Sequence, residues 1–278
     1  MKYVNNAVST SLVSVPDAPT DANAAMFDLA VAESVATLTL CRPPVNAISE
    51  EWLRQFNAVL DALDARADWN VLHLRSNQKV FCAGADLKEM RERFDAPDGP
   101  DRTYSYVAAI QRLYKRIERL QQVTLCELGG TALGGGLELA LACDLRMAAS
   151  RTKLGLPEVR LGLIPGAGGT QRLSRLCGRA VAARLILGAE VIEGAEALEL
   201  GLVQWAVPAT ELAERASEIA RRIATLPAPA LAASKSCIVA AQEPGSGGYS
   251  DELEATRWLL TNSDTRQRVE AFFANSGR

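Results

Sequence analysis

The chain has 278 residues, 48% of them hydrophobic and 23% charged, and its formal net charge is −3. These values are typical of a globular protein with a sizeable hydrophobic core. A pI near 5.5 argues against the basic surface that nucleic-acid binding requires. The longest apolar run, residues 133–143, is interrupted by glycines and Glu138. It is shorter than the roughly 18 residues of a membrane span, so we expect neither a nucleic-acid nor a membrane partner.

The cysteine and histidine content argues against disulfides and metal sites. The six cysteines form no CxxC pair, and the chain has one histidine. We therefore expect reduced thiols, a cytoplasmic location and no bound metal. The cysteines are Cys41, Cys82, Cys126, Cys143, Cys177 and Cys237.

The N-terminal part of the chain is a polar extension followed by a hairpin. Residues 1–25 lack the apolar stretch of a secretory signal and the arginines of a mitochondrial transit peptide. We expect them to be a flexible extension. Residues 27–31 and 35–40 predict two paired strands. Residues 42–47, with two consecutive prolines, predict a rigid loop.

A capped helix and a buried strand come next. Ser49 is a suitable helix cap, and apolar side chains recur after it at the spacing of one helix face. These side chains are Trp52, Phe56, Val59, Leu60 and Leu63. Residues 71–75 predict a buried strand in which His73 stands between two leucines. We interpret His73 as a hydrogen-bonded core residue rather than as a member of a catalytic triad.

The middle of the chain combines a charged segment with a regular helix. Residues 88–102 contain many charges, two prolines and a glycine, which favours a mobile loop. Apolar residues then recur at alternating spacings of four and three, which predicts a core-facing helix. They are Tyr106, Ile110, Leu113, Ile117 and Leu120. Residues 123–127 and 145–149 predict two strands, with a glycine turn and a short helix between them.

Helices dominate after Thr170, apart from one predicted strand at residues 202–207. The predicted helices cover residues 211–226, 228–241, 251–261 and 264–273. Residues 245–248 predict a flexible break. Strands and helices alternate earlier in the chain, so the sequence predicts an α/β fold. After the N-terminal extension we expect a core at residues 26–195 and a mainly helical C-terminal region at residues 196–278.

Glycine-rich turns are the first candidates for chemistry. The chain has neither a P-loop nor a complete dinucleotide-binding glycine motif. Three glycines, residues 134–136, are costly in a helix, so they predict a helix start that a ligand approaches closely. Tight packing of a helix on a strand is the alternative. The turn at residues 83–86 is a weaker signal, because Asp86 can simply cap the next helix.

Two isolated glutamates accompany these turns. Glu138 lies in an otherwise uncharged stretch, residues 129–143, and a buried glutamate has to be paired, protonated or functional. Burial also raises its pKa toward the range useful for acid–base catalysis. Glu158, close to Arg160, fits a surface salt bridge as well. Because glycine turns can hold an oxyanion with their N–H groups, the combination indicates acid–base chemistry on a carbonyl compound.

Three blocks of the sequence resemble a known family. They are Phe81-Cys82-Ala83-Gly84-Ala85-Asp86-Leu87-Lys88-Glu89, Ala132-Leu133-Gly134-Gly135-Gly136-Leu137-Glu138-Leu139-Ala140 and Leu163-Ile164-Pro165-Gly166-Ala167-Gly168-Gly169-Thr170-Gln171-Arg172-Leu173. Found in this order, they resemble the crotonase (enoyl-CoA hydratase/isomerase) superfamily over residues 27–229. The resemblance implies a spiral of strand–strand–helix units with a helical C-terminal region that builds a homotrimer or a hexamer.

The resemblance also implies a role for each matching position. The N–H groups of Ala83 and Gly135 would form an oxyanion hole for a thioester oxygen. Glu138 would deprotonate a water that adds at C3, and Glu158 would deliver a proton to C2. The N–H of Gly166 would help to hold that water.

Coenzyme A would enter as part of the substrate, with no separate cofactor. The resemblance places it along the proline loop and the turn after Cys82. The implied contacts are Arg42, Asn46, Ala83, Ala85, Asp86, Leu87 and Lys88.

The presence of both glutamates favours hydration of a 2-enoyl-CoA to a 3-hydroxyacyl-CoA. Alternatives on the same scaffold are a methylglutaconyl-CoA hydratase, an isomerase or a C–C lyase. A non-catalytic acyl-CoA- or RNA-binding subunit is the alternative outside enzymes. The helix after Ser49 carries Arg54 and Arg66 among five acidic residues, so we expect no RNA partner.

Overall fold

The computed structural model describes residues 11–12, 25–241 and 247–276. Strands and helices alternate in its first part, and helices dominate its second part. The strands are β1 (Ser11–Leu12), β2 (Phe27–Ala32), β3 (Val35–Leu40), β4 (Val71–Ser76), β5 (Val80–Cys82), β6 (Val123–Leu128), β7 (Thr131–Leu133), β8 (Leu145–Ala149), β9 (Lys153–Gly155), β10 (Val191–Glu193) and β11 (Trp205–Val207). The helices are α1 (Glu50–Asp64), α2 (Leu87–Phe94), α3 (Gly99–Glu118), α4 (Gly135–Leu141), α5 (Gly169–Leu187), α6 (Gly194–Glu199), α7 (Ala209–Ala224), α8 (Ala228–Ala240), α9 (Gly248–Leu260) and α10 (Ser263–Ser276), with a 3₁₀ helix at Glu158–Leu161.

The described strands form two sheets. Seven of them lie in the order β1-β2-β3-β4-β6-β8-β11, and four in the order β10-β9-β7-β5. The hairpin β2–β3 is antiparallel, as predicted, and the strands from β3 to β11 run parallel. In the second sheet β5 and β7 are parallel neighbours, with Cys82 opposite Ala132. Since parallel neighbours end at the same edge, the turns before α2 and α4 meet there.

The main core packs α1 against the first sheet. Ser49 caps α1, because its Oγ accepts the Trp52 N–H at 3.0 Å. The predicted apolar face is buried, and the rings of Trp52, Phe56 and Phe27 lie 5.0–5.1 Å apart. These observations confirm the predicted helix, and about 25 cal/mol per Å² of buried apolar surface stabilises such packing.

His73 is a core residue, as predicted. It lies on β4 and is 2% exposed. Its Nε2 is 2.9 Å from Oε2 of the buried Glu127 on β6. This pairing satisfies two polar groups that would otherwise be costly to bury.

The predicted mobile loop at residues 88–102 is wrong, because this segment is mostly helical. Asp86 caps α2, and its Oδ1 accepts the N–H of Lys88 at 3.0 Å. Arg93 at the end of α2 is buried, with its guanidinium carbon 4.0 Å from the centre of the Tyr106 ring. Pro100 stands in the first turn of α3, where a helix needs no N–H.

The C-terminal half is mainly helical, as predicted. The buried face of α7 packs on the sheet and forms a second core with residues of β4, β6 and β8. The strand predicted at residues 202–207 is shorter, because the N–H groups of Leu202 and Val203 bind Ala197 O at the end of α6. Lys235 of α8 reaches the core through an ion pair of 2.8 Å with Asp144.

Several expectations concern residues or boundaries that stay open. Within the extension 1–25, residues 11–12 form β1, which pairs with β2, and most of the other residues lie outside the described ranges. Of the break predicted at residues 245–248, residues 245–246 lie outside the described residues, and Gly248 already begins α9. The division at residue 195 stays a prediction. All six cysteines are described and carry free thiols. Among the described helices, none is by itself long and apolar enough to cross a membrane, and α7 with α8, bent by 105°, passes that test only as a pair.

Candidate active site

The turns after β5 and β7 touch each other through glycines. Gly84 has a φ of +92°, and a Cβ on it would lie 3.1 Å from both Gly135 N and Leu133 O. A Cβ on Gly136 would lie 2.1 Å from Cys82 O. Only glycine permits this approach. The glycine run therefore packs tightly against the neighbouring turn, as the alternative interpretation expected. Close approach of a ligand stays a prediction.

The free N–H on the first turn belongs to Ala85, and the prediction of Ala83 is corrected. The Ala83 N–H donates to Val45 O at 3.0 Å, so it is not available to a ligand. The N–H of Ala85 binds no acceptor among the described residues. It lies next to Gly135, with Ala85 N 3.9 Å from the point that a Cβ on Gly135 would occupy.

Gly135 supplies the second N–H. It is the first residue of α4, and the first N–H groups of a helix have no acceptor within the helix. Its own carbonyl accepts a hydrogen bond of 2.7 Å from the hydroxyl of Tyr114. The N–H groups of Ala85 and Gly135 thus form a pair of adjacent donors, the geometry of an oxyanion hole.

Glu138 lies in the first turn of α4 and is 2% exposed. Its Oε1 accepts the Gly169 N–H at 2.7 Å. Burial raises the pKa of Glu138 to about 7, and the charge of Glu158 adds to this effect. The N–H groups of Gly169 and Ala167 oppose it, because they stabilise the carboxylate. Glu138 can therefore exchange a proton near neutral pH.

Glu158 begins the 3₁₀ helix and faces the same site. Its Oε2 is buried without a hydrogen-bond partner among the described residues, and burial raises the pKa of this carboxyl. A Cβ on Gly134 would lie 3.1 Å from Oε1 of Glu158. The alternative of a salt bridge with Arg160 is wrong, because Arg160 donates to Ala189 O at 2.6 Å.

Gly166 lies in the turn that precedes α5. Its carbonyl accepts a hydrogen bond from Gln111. Arg172 donates to Ala167 O at 3.0 Å and pairs with Glu118 at 3.1 Å. The turn that holds Glu138 is thus anchored to α3. The role of the Gly166 N–H in holding a water stays a prediction.

Some of the predicted coenzyme A contacts are exposed at the surface, and others are bonded within the protein. Leu87 and Lys88 are exposed at the start of α2. Arg42 and Asp86 are bound to each other at 2.7 Å. Asn46 is fully buried, and its amide binds Ser76 Oγ, Phe81 O and the Arg42 N–H, each at 2.8 Å. Asn46 therefore shapes the loop, and contact of any of these residues with coenzyme A stays a prediction.

Tyr106, Gln111, Tyr114 and Arg172 hold the site and were not recognised as site residues from the sequence. Tyr106 is part of the apolar pattern that predicted a core helix, and Tyr114 stands within that pattern, directly after Leu113. One signal was available for both tyrosines, since a buried tyrosine hydroxyl needs a hydrogen-bond partner. The identity of that partner is set by the tertiary structure.

A buried and a half-buried carboxyl beside a pair of backbone donors define an acid–base enzyme that acts on a carbonyl group. A family model described as enoyl-CoA hydratase/isomerase matches residues 30–269. The chain belongs to the enoyl-CoA hydratase/isomerase family.

Individual relatives agree with this assignment. A probable enoyl-CoA hydratase of Bacillus subtilis (strain 168) is 38% identical over 249 residues, which are 88% of this chain and 95% of that protein. The mitochondrial methylglutaconyl-CoA hydratase of Mus musculus is 43% identical over 159 residues, 57% of this chain and 49% of that protein. A solved enoyl-CoA hydratase structure from Bacillus anthracis is 35% identical in sequence and has a TM-score of 0.84. The match covers 90% of this chain and 97% of the Bacillus anthracis chain. This likeness confirms the predicted crotonase fold.

Proposed function

We propose that this chain is an enoyl-CoA hydratase, which adds water across the C2=C3 bond of a 2-enoyl-CoA and yields a 3-hydroxyacyl-CoA. One observation carries the proposal. The buried Glu138 and the half-buried Glu158, both with raised pKa values, lie beside the free N–H groups of Ala85 and Gly135. The identity to relatives named as hydratases supports the same reaction.

The oxyanion hole would stabilise the charge that develops during addition. As the water oxygen bonds to C3, the π electrons move toward C2 and the thioester carbonyl, whose oxygen becomes enolate-like. The N–H groups of Ala85 and Gly135 would donate to that oxygen. Fixed donors of this kind bind the transition state more strongly than the substrate, and loss of one typically costs about 10²–10³ in rate.

The two carboxyls would move the protons. Glu138 takes a proton from the water while the oxygen bonds to C3, and Glu158 gives its proton to C2. The two carboxyls therefore share one proton at the start of the reaction. The two pKa values seen in a titration describe the pair and not either residue alone. The Gly166 N–H would hold the water beside Glu138. The pair starts with its proton on Glu158 and ends with it on Glu138, so exchange between them resets the site.

The substrate would be bound through its coenzyme A part at the edge where α2 begins. Lys88 is exposed there and would face phosphates, and Asp86, which accepts the Lys88 N–H, also pairs with Arg42. The acyl preference is a separate question. The likeness to a methylglutaconyl-CoA hydratase over part of the chain supports a branched acyl group as the second candidate.

The first experiment is hydration of crotonyl-CoA, followed by loss of the conjugated enoyl-thioester absorbance and appearance of 3-hydroxybutyryl-CoA. Glu138→Gln and Glu158→Gln should each lower kcat by orders of magnitude. An isomerase needs only one of the two carboxyls, so unchanged turnover in either variant contradicts the hydratase mechanism. If crotonyl-CoA is inert, 3-methylglutaconyl-CoA tests the branched alternative.

We also propose a homotrimer or a hexamer and a cytoplasmic location. Large apolar side chains are exposed on the last two helices, and such surfaces commonly mark an interface. They include Tyr249, Leu253, Trp258, Phe272 and Phe273. The free thiols fit a reducing compartment. Native mass spectrometry tests the oligomer, and a monomer at micromolar concentration contradicts it.

A further inference from the structure

Helix α3 contacts both halves of the proposed oxyanion hole through two tyrosine hydroxyls. Tyr106 donates to Ile48 O at 2.6 Å, and Tyr114 donates to Gly135 O at 2.7 Å. The two tyrosines stand eight positions apart on α3, about 12 Å along its axis. They are 5% and 0% exposed, so neither hydroxyl has an alternative partner in water.

The contact of Tyr106 acts on the segment that presents the Ala85 N–H. Ile48 donates to Gly84 O at 2.9 Å and accepts the Asp86 N–H at 2.9 Å. Ile48 is therefore bonded to both neighbours of Ala85, and any shift of Ile48 moves the Ala85 N–H. The hydroxyl of Tyr106 fixes the same carbonyl oxygen that receives Asp86.

The contact of Tyr114 acts on the other donor directly. It bonds to the carbonyl of Gly135, the residue whose N–H faces the site. A Cβ on Gly135 would lie 2.9 Å from Cδ1 of Ile48, so the two contacted residues are neighbours. Helix α3 thus contacts two loops, one at Ile48 and one at Gly135, which lie 87 positions apart in the sequence.

The surroundings of both rings keep the two hydroxyls protonated and fixed. Burial raises the pKa of Tyr106 and of Tyr114 above its ordinary value, so both remain donors across the working pH. The ring of Tyr106 also packs against the guanidinium of Arg93. Arg93 is 3% exposed and pairs with Glu50 at 2.9 Å and with Glu89 at 2.8 Å. The ring of Tyr106 is thus held by a buried, doubly paired guanidinium.

We infer that Tyr106 and Tyr114 are positioning residues, whose hydroxyls set the spacing and direction of the Ala85 and Gly135 N–H groups. This inference rests on the proposed function, since it names what holds its oxyanion hole. Neither hydroxyl touches the substrate. Their removal is therefore expected to weaken stabilisation of the enolate-like oxygen while leaving the binding of coenzyme A unchanged.

The test compares Tyr106→Phe, Tyr114→Phe and the double variant with Tyr104→Phe. Tyr104 is a matched control, because it lies on α3, is 78% exposed and has no hydrogen-bond partner among the described residues. With crotonyl-CoA, we expect kcat to fall about tenfold in each single variant and further in the double variant. KM should stay within about twofold, because binding contacts made equally in ground and transition state are retained.

A second measurement reads the oxyanion hole without turnover. The absorption band of 4-(dimethylamino)cinnamoyl-CoA moves to longer wavelength when its carbonyl oxygen is polarised by hydrogen bonds. The wild type and Tyr104→Phe should show the full shift, and the Tyr106 and Tyr114 variants a reduced one. Circular dichroism melting confirms that each variant is folded, and the two single variants test the inference independently.

The outcomes separate this inference from the proposed function. A wild-type shift that is fully retained in both Phe variants overturns the inference alone, even if their kcat falls. An equal loss in Tyr104→Phe also overturns it. A wild type that binds the thioester with no shift and hydrates no enoyl-CoA overturns the proposed oxyanion hole, and the inference with it.

Discussion

The backbone N–H of Gly169 donates a 2.7 Å hydrogen bond to Oε1 of Glu138. Gly169 begins α5 and Glu138 lies in the first turn of α4, so this bond joins two helices at the reactive carboxyl itself. It fixes the orientation of Glu138 and opposes the rise in pKa that burial causes. The carboxyl is thereby kept close to half-ionised at neutral pH, as a general base requires.

Gly169→Ala should displace the carboxyl of Glu138. A Cβ at this position would lie 2.9 Å from Oε1 of Glu138 and 2.8 Å from the Cβ of Pro165, closer than side chains tolerate. We expect kcat/KM for enoyl-CoA hydration to fall about 10²-fold. Gly248→Ala is the control, because among the described residues no atom outside the neighbouring backbone lies within 4 Å of its added Cβ. A variant at Gly169 with wild-type kcat/KM would contradict the positioning role of this bond.

Glu158→Gln should lower the pKa of Glu138. The negative charge of Glu158 disfavours ionisation of Glu138, so its removal favours the carboxylate. The protonated carboxyl has its own infrared C=O stretch, whose loss between about pH 5 and pH 9 reports the titration. We expect the midpoint to move to lower pH in the variant.

Arg172→Gln should raise the pKa of Glu138. The positive charge of Arg172 lowers the pKa of Glu138, and its guanidinium donates to Ala167 O beside the carboxyl. The infrared midpoint should therefore move to higher pH. Shifts of the same sign in Glu158→Gln and Arg172→Gln would show that their charges do not act on Glu138 as the structure indicates.

Glu138→Gln should stabilise the fold at alkaline pH. The pKa of Glu138 is raised from an ordinary 4.5 to about 7, so the native state binds this proton more tightly than the unfolded chain. Its contribution to the free energy of unfolding therefore falls as pH rises from 4.5 to 7. Glutamine carries no charge and keeps the acceptor for Gly169. We expect the variant to be more stable by about 3 kcal/mol at pH 8.

The pH dependence distinguishes this effect from ordinary repacking. Chemical denaturation at several pH values should show a stability difference that shrinks as pH falls and disappears below the ordinary pKa of 4.5, where the wild-type carboxyl is protonated in both states. A difference that is equal at all pH values would assign the gain to packing instead.

His73→Leu should destabilise the fold and spare the chemistry. The substitution removes the partner 2.9 Å from the buried Glu127 carboxyl, and breaking such a pair typically costs about 3 kcal/mol or more. His73 and Glu127 lie within strands β4 and β6 and not in the turns that carry the site. Urea denaturation should show the loss, while kcat of the folded variant stays at the wild-type value.

The double variant His73→Leu/Glu127→Leu checks the mechanism. Replacing both members of a buried polar pair with apolar groups removes the unpaired carboxyl, so part of the stability should return. A double variant that is less stable than His73→Leu would contradict an unpaired Glu127 as the cause.

Local sequence patterns determined the elements whose formation depends on neighbouring residues. The cap at Ser49, the apolar face from Trp52 to Leu63 and the core position of His73 follow from spacing and side-chain chemistry, and the structure confirms them. The burial of Glu138 could also be predicted, because it is the single charged residue in an apolar stretch, and the structure shows it buried. Each of these features could be predicted from residue spacing and side-chain chemistry within one helix or strand.

Only the tertiary structure decided which groups face the site. The Ala83 N–H is taken by Val45, 38 positions earlier, and this leaves Ala85 as the free donor. Residues 88–102 are mostly helical, and the burial of Arg93 against the ring of Tyr106 is a tertiary contact that the charges of this segment did not predict. The partner of a backbone N–H or a buried guanidinium is determined by which distant segments pack together. Helix and strand propensity and residue spacing therefore do not predict that partner.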